Sequence, residues 1–236
     1  VDYYCEHLFC FGFREPSSFP NFGYSVDNFH PVGSLQLSQH FSCELSYIKP
    51  IFDILIVSCW RGNIGYAPDV AESMISMKKM DLSLAKYLSE RQLKSAVILR
   101  SERNSGDWFM SEVGMNEEQY YEDIYGDLVE IIDVDFEKRN IYRTMQTADL
   151  IIASHNTTCL LEAMSFGKKV LYANFTGKSD YHCDFDETIV FNHDTNNDKN
   201  FNECLDKLRT MPDTDYAKHI GELANYYVLD PRTINT

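Results

Sequence analysis

The sequence lacks the short signatures of the common phosphate-binding and zinc-binding folds. No G-x-x-x-x-G-K-[ST] or G-x-G-x-x-G segment occurs, so neither a P-loop enzyme nor a dinucleotide-dependent dehydrogenase is supported. The seven cysteines include no C-x-x-C pair, which argues against a structural zinc site. We therefore expect no metal and no cofactor.

Basic residues and long apolar runs are also scarce. The 21 Lys and Arg are outnumbered by 36 Asp and Glu, and the formal net charge of −15 makes a nucleic-acid partner unexpected. No apolar run approaches the ~18–20 residues of a membrane-spanning helix, and the first residues do not resemble a signal peptide. The odd number of scattered cysteines is typical of free thiols in a reducing compartment. Together these features predict a cytoplasmic protein without a transmembrane segment.

What the chain does contain is ample material for a folded core. Of its 236 residues, 44% are hydrophobic and 24% are charged, a balance typical of globular domains. The chain starts at Val1 without an initiator Met, in a segment that reads as ordered, so we expect part of a longer protein. Residues 1–48 are predicted to be a connector or the edge of a neighbouring N-terminal domain, with a short buried strand at 8–12 and no strong helix.

From residue 49 onwards, strands and helices alternate. Continuous apolar runs such as 52–58 are typical of strands buried on both faces. Strands are predicted at 52–58, 95–100, 128–132, 150–153, 169–172 and 188–191. Helices are predicted at 69–91, 117–126, 137–147, 157–166, 199–210 and 215–228. This alternation predicts an α/β fold over residues 49–236, a Rossmann-like parallel sheet with helices on both faces.

Ligands of such a sheet bind at the carboxyl ends of its strands. This rule selects the loops 58–65, 100–107, 133–136 and 154–158. Arg61 in the first loop, with Arg100 and Arg103 in the second, are candidates to neutralise a phosphate or a sugar carboxylate. For Arg100 and Arg103, a surface ion pair with Glu102 is the alternative.

The loop 154–158 joins a buried strand to a helix and is polar throughout. Ser154 or Asn156 is expected to cap the helix, while Thr157 and Thr158 present hydroxyls beside free backbone N–H groups. The positive end of the helix dipole lies there, so the loop is a candidate anion site to which His155 would donate a hydrogen bond. An ordinary helix cap and a structural histidine are the alternatives.

Glu162 lies about one and a half turns into the same helix, between apolar neighbours. Either its carboxylate accepts hydrogen bonds from ribose hydroxyls, or it is a solvent-facing residue of an amphipathic helix. Gly167 stands where a helix terminator is expected. After the next strand, Asn174, Lys178 and Asp180 are placed to face a donor sugar.

The segment 148–170, ADLIIASHNTTCLLEAMSFGKKV, resembles the donor-binding motif of GT-B glycosyltransferases. The matching features are the Ala-Asp before an apolar strand, the polar turn, Glu162 followed by Ala, and the closing Gly-Lys-Lys-Val. The segment 30–35, HPVGSL, resembles the linker that leads into the C-terminal half of those enzymes. The resemblance is greatest to bacterial capsule and O-antigen biosynthesis transferases, and it extends loosely over 28–228.

This resemblance implies a transferase that moves a sugar from a CMP-, UDP- or GDP-linked donor to a saccharide or glycolipid acceptor of a growing surface polysaccharide. It places Ser154, Asn156, Thr157 and Thr158 near the phosphate and Glu162 near the ribose. The acceptor side of a GT-B enzyme comes from its N-terminal half, so we assign no catalytic residue. Peripheral association with the inner face of the cytoplasmic membrane, through parts beyond this chain, stays open. A sugar-nucleotide epimerase of similar fold and a non-catalytic Rossmann-like module are the alternatives.

Overall fold

The structure, a computed structural model, describes residues 3–41, 48–60, 68–99, 116–133, 135, 140–155, 157–177, 188–192 and 198–230. In chain order the elements are β1 (Tyr3–Cys10), α1 (Arg14–Ser18), β2 (Tyr24–Pro31), α2 (Leu35–Phe41), β3 (Phe52–Val57), α3 (Pro68–Arg91), β4 (Ser95–Ile98), α4 (Glu117–Tyr125), β5 (Val129–Ile132), α5 (Asn140–Gln146), β6 (Ala148–Ala153), α6 (Thr158–Ser165), β7 (Lys169–Asn174), β8 (Val190–Asn192), α7 (Asp198–Thr210) and α8 (Asp213–Tyr227). Short 3-10 helices cover Phe19–Phe22 and Gly126–Leu128.

The chain forms two compact units. The first consists of Val1–Tyr47, Leu161–Gly167 and Pro212–Thr236, and the second of Ile48–Leu160 and Lys168–Met211. Each unit is therefore assembled from separate stretches of sequence. The predicted division into residues 1–48 and 49–236 stays a prediction.

The second unit is built on a six-stranded sheet in the order β5-β4-β3-β6-β7-β8, in which every neighbouring pair is parallel. The central strands β3 and β6 are almost wholly apolar, and Ile54 and its partner Leu150 are completely buried. At the edge, β5 has an exposed Glu130 and half-buried isoleucines. Strands covered on both faces must be apolar throughout, which is why the central ones read as continuous apolar runs.

The strand order determines where a ligand can bind. From β3 the chain moves outward through β4 to β5, then returns to the other side of β3 and continues through β6 and β7 to β8. Because crossovers between parallel strands are right-handed, this reversal places helices on both faces of the sheet. The predicted fold class, an α/β Rossmann-like parallel sheet, is confirmed. The reversal lies between β3 and β6, and open sheets of this kind bind ligands at such a point.

The first unit differs from the sequence expectation in two ways. The strand expected at 8–12 is part of β1, which pairs in parallel with β2, ends at Cys10 and exposes most of its side chains. The expectation of no strong helix is corrected by α2, a seven-residue helix. Its start depends on Ser34, whose Oγ accepts a hydrogen bond from the N–H of Leu37 at 3.2 Å. Such a cap satisfies an N–H that the helix itself leaves without a partner.

Gly12 allows a close approach within the first unit. A Cβ atom at this position would lie 2.4 Å from the carbonyl oxygen of Tyr226 and 2.7 Å from that of Tyr227. Nearby, the N–H of Leu229 donates a 2.9 Å hydrogen bond to the carbonyl of Phe11. The end of α8 therefore packs directly on the backbone that follows β1. No helix in the described ranges combines the length and the apolar character of a membrane span.

Candidate functional site

The carboxyl ends of β3 and β6 lie side by side. Ile56 pairs with Ile152, so Ser58 and Ser154, two residues further along each strand, follow at the same level. Ser154 is 2% exposed and Ser58 is also buried. Two of the four predicted ligand loops, 58–65 and 154–158, therefore begin next to each other, at the point where the strand order reverses.

Cys59 lies between these two strand ends and is buried. Burial raises the pKa of its thiol, and hydrogen bonds from the Ser154 side chain and the His155 backbone lower the pKa in part. The sulfur also lies 3.7 Å from the carbonyl oxygen of Val57. A neutral thiol in such surroundings packs the two strand ends together.

The loop after β3 is held by a contact that we did not predict from the sequence. The Ser58 hydroxyl donates a short hydrogen bond to the carboxylate of Glu117, the first residue of α4, and accepts one from the Trp60 N–H at 3.2 Å. Glu117 and Trp60 are both 3% exposed, and the Trp60 ring lies 4.9 Å from that of Tyr120. Trp60 is therefore a packing residue.

In the turn after β6, Thr157 caps the helix. Thr157 Oγ1 accepts a hydrogen bond from the Cys159 N–H at 3.0 Å, and the Thr157 carbonyl accepts one from Leu160 at 3.0 Å. Thr158 is then the first helical residue and is exposed. The Oγ of Ser154 lies 2.8 Å from Nδ1 of His155. Asn156 lies outside the described residues, and its role stays a prediction.

Glu162 does not face solvent. It is 6% exposed, and its Oε1 accepts a 2.5 Å hydrogen bond from the hydroxyl of Ser34. Burial excludes the interpretation of this residue as part of a solvated helix face. The helix ends as predicted, since Gly167 has a φ of +87° and donates to the Met164 carbonyl at 3.0 Å.

The two lysines of the motif make contacts at the amino ends of the strands, opposite the carboxyl ends described above. Lys168 donates to the carbonyls of Gln146 and Ala148 at 2.7 and 2.9 Å, and Lys169 donates to that of Met211 at 2.5 Å. Because β6 begins at Ala148 and β7 at Lys169, these contacts lie at the amino ends of the strands. Both side chains therefore stabilise backbone carbonyls at the amino ends of the strands, whereas residues 154–158 follow a carboxyl end.

The remaining candidates divide into described and undescribed residues. Arg61, Arg100, Arg103, Lys178 and Asp180 lie outside the described residues and stay predictions. Asn174 is 1% exposed, and its amide links β7 to β8 through a 2.9 Å hydrogen bond to Asn192. That position makes it a structural link between two strand ends. Within the described ranges no group of three His, Cys, Asp or Glu is arranged to hold a metal ion.

Comparison with known proteins gives a weak structural likeness. No protein-family model matches the sequence, and no curated protein matches it. Among solved structures, a sucrose-phosphate synthase from Thermosynechococcus elongatus is similar over 97% of this chain, with a TM-score of 0.43 and 10% sequence identity. The match covers 53% of that structure, so this chain spans about half its length. A likeness at this level does not assign an activity.

Proposed function

We propose that this chain is the donor-binding part of a GT-B glycosyltransferase that transfers a sugar from a CMP-, UDP- or GDP-linked donor to a saccharide or glycolipid of a surface polysaccharide. The observation that carries the proposal is the strand–turn–helix at 148–165, which opens where the strand order of the parallel sheet reverses. The resemblance of 148–170 to the donor-binding motif of those enzymes supports the same segment.

The phosphate of the donor is proposed to bind at residues 154–158. This turn holds the Ser154 hydroxyl, the His155 imidazole and the Thr157 hydroxyl within four residues, and each of these groups can take part in a hydrogen bond to a phosphate oxygen. The eight-residue α6 starts at Thr158, so the positive end of its dipole faces the same turn.

The ribose of the donor is proposed to bind at Glu162. Burying a carboxylate is costly unless it is hydrogen-bonded, and Glu162 is buried four residues into the helix that begins at the phosphate site. A carboxylate only accepts hydrogen bonds, and ribose hydroxyls are donors that suit it. Charge-assisted bonds of this kind are short and strong, which favours ribonucleotides over their deoxy forms.

The proposed reaction is the attack of an acceptor hydroxyl on the anomeric carbon of the donor. The new glycosidic C–O bond forms as the bond between the sugar and the phosphate oxygen breaks, and the nucleotide leaves with that electron pair. The hydroxyl proton passes to a base that we do not assign to a residue of this chain. The contribution of the turn 154–158 is to stabilise the negative charge that builds up on the departing phosphate.

Isothermal titration calorimetry with CMP, UDP and GDP tests the proposal on the 236-residue chain. We expect at least one nucleotide to bind, and we expect Ser154→Ala to weaken it about tenfold, the effect of losing one hydrogen bond to a charged group. Ser95→Ala is the matched control, because Ser95 is 3% exposed at the amino end of β4 and its hydroxyl has no hydrogen-bond partner among the described residues. Absence of binding by all three nucleotides, or equal weakening by both variants, would overturn the proposal.

A further inference from the structure

Ser34 and Glu162 are 128 residues apart in sequence and in direct contact within the first unit. The Ser34 hydroxyl donates to Glu162 Oε1 at 2.5 Å, and Ser34 Oγ itself accepts a hydrogen bond from the N–H of Leu37 at 3.2 Å. A hydroxyl has one proton to donate, and here that proton points to the carboxylate. The Leu37 N–H thus fixes the orientation in which Ser34 meets Glu162.

Helix α2, which begins directly after Ser34, also contacts the stretch 161–167 through its last residue. The ring of Phe41, at the other end of α2, packs edge-on against Phe166 with 5.3 Å between ring centroids. Phe41 is buried, and Ser34 is only 2% exposed. Both ends of α2 are therefore fixed against the stretch 161–167, which leaves Ser34 little freedom to move away from the carboxylate.

The backbone of Glu162 is also restrained. Its carbonyl accepts a hydrogen bond from the Ser165 hydroxyl at 2.8 Å. Fixed backbone and fixed side-chain contacts together hold the carboxylate in one direction. Such preorganisation reduces the side-chain entropy that the protein loses when a ligand binds.

We infer that Ser34 is a positioning residue of the donor site, which orients the Glu162 carboxylate for the hydroxyls of a ribose. The inference rests on the proposed function, and it adds Ser34, the residue that caps α2, which the motif at 148–170 does not contain. Its consequence is that Ser34 contributes to the preference for a ribonucleotide over the 2′,3′-dideoxy form. A purely structural serine would contribute to stability and leave that preference unchanged.

The experiment measures this preference directly. Calorimetry on the full chain and its variants determines two dissociation constants. One is for whichever of CMP, UDP and GDP binds, and the other is for its 2′,3′-dideoxy counterpart. The ratio of interest is the dissociation constant of the dideoxy form divided by that of the ribonucleotide. We expect this ratio to fall about tenfold in Glu162→Gln, which removes the charge, and several-fold in Ser34→Ala. Ser34→Thr keeps a hydroxyl that can cap a helix, and the ratio should return towards the wild-type value.

A matched control separates position from stability. Ser38 lies one turn along α2, and its buried hydroxyl has no hydrogen-bond partner among the described residues. Ser38→Ala should therefore leave the ratio unchanged. Thermal unfolding followed by circular dichroism confirms that each variant is folded at the temperature of the titration.

The outcomes distinguish the inference from the function beneath it. In one outcome, Glu162→Gln lowers the ratio, while Ser34→Ala either weakens the binding of both nucleotide forms by the same factor or weakens the binding of neither. Ser34 is then structural and the inference is wrong. If the wild-type chain does not discriminate the two forms, or Glu162→Gln leaves the ratio unchanged, the ribose site itself is wrong and the inference falls with it.

Discussion

The hydroxyl of Tyr120 donates a 2.7 Å hydrogen bond to Oδ2 of Asp81, a carboxyl group that is completely buried. Tyr125 donates a second bond of 2.7 Å to Oδ1 of the same group. Asp81 belongs to α3, and both tyrosines belong to α4. The pair of bonds joins these two helices, and α4 also supplies the Glu117 that holds Ser58 at the end of β3.

We predict that Asp81 makes the stability of the protein depend on pH. Burial raises the pKa of this carboxyl to about 7 from its ordinary value of 3.8, and the two tyrosine hydrogen bonds lower the pKa in part. Between pH 4 and pH 7 the folded chain therefore holds a proton that the unfolded chain has released. The stabilising contribution is fully present below about pH 4 and is lost as the pH rises through 7.

Urea unfolding between pH 5.5 and 8.5 checks this prediction on the wild type and Asp81→Asn. The free energy of unfolding of the wild type, minus that of the variant, should fall as the pH rises and level off above pH 7 to 8. Taking the difference removes the contributions of other titrating groups. A difference that is constant over the whole range would show that Asp81 does not titrate there.

Gly12 provides a prediction about the first unit. Gly12→Ala would place a Cβ atom 2.4 Å from a backbone oxygen of Tyr226, so we expect a loss of roughly 1–3 kcal/mol of stability or more. Gly221 is the control, because it lies inside α8 and a Cβ atom there meets nothing within 4 Å. Gly221→Ala should stabilise the chain by up to about 1 kcal/mol. Equal effects of the two substitutions on the thermal midpoint would contradict the close approach of Gly12.

Much of the sheet is predictable from the sequence because its strands are buried on both faces. The apolar run at 52–58 corresponds to β3, and Gly167 marks the end of α6 since its positive φ suits a residue without a Cβ. The predicted sixth strand, 188–191, is shorter in the structure: β8 begins at Val190, after a turn. Local patterns thus identify most elements, with errors at their ends.

The contacts that join distant segments could not be predicted in this way. The strand order places β6 beside β3, which no local pattern encodes. The partner of Glu162 is 128 residues away, and Asp81 resembles a surface residue of an amphipathic helix until α4 packs over it. These polar residues are buried because each has a partner far away in sequence, and that information is absent from a window of one helix or strand.

Lys169 provides a prediction that separates structure from binding. Its amine donates a hydrogen bond to the carbonyl of Met211, at the amino end of β7, and the proposed phosphate site lies at the carboxyl ends of the strands. Lys169→Met keeps the apolar stem and leaves that part-buried carbonyl without its donor, so we expect a loss of about 1 kcal/mol in urea unfolding. The affinity for nucleotide should stay within about twofold of the wild type, since this lysine does not reach residues 154–158. A large loss of affinity in a folded variant would place Lys169 in the donor site instead.

Hydrogen exchange followed by mass spectrometry tests most directly whether the donor binds at the turn and helix after β6. The 236-residue chain is compared with and without a saturating concentration of the nucleotide that binds it in calorimetry. We expect slower exchange in peptides covering residues 154–165, and unchanged exchange in those covering α8, Asp213–Tyr227. Bound nucleotide that leaves the exchange of 154–165 unchanged, or that protects only other parts of the chain, would contradict the assignment of this segment as the donor site.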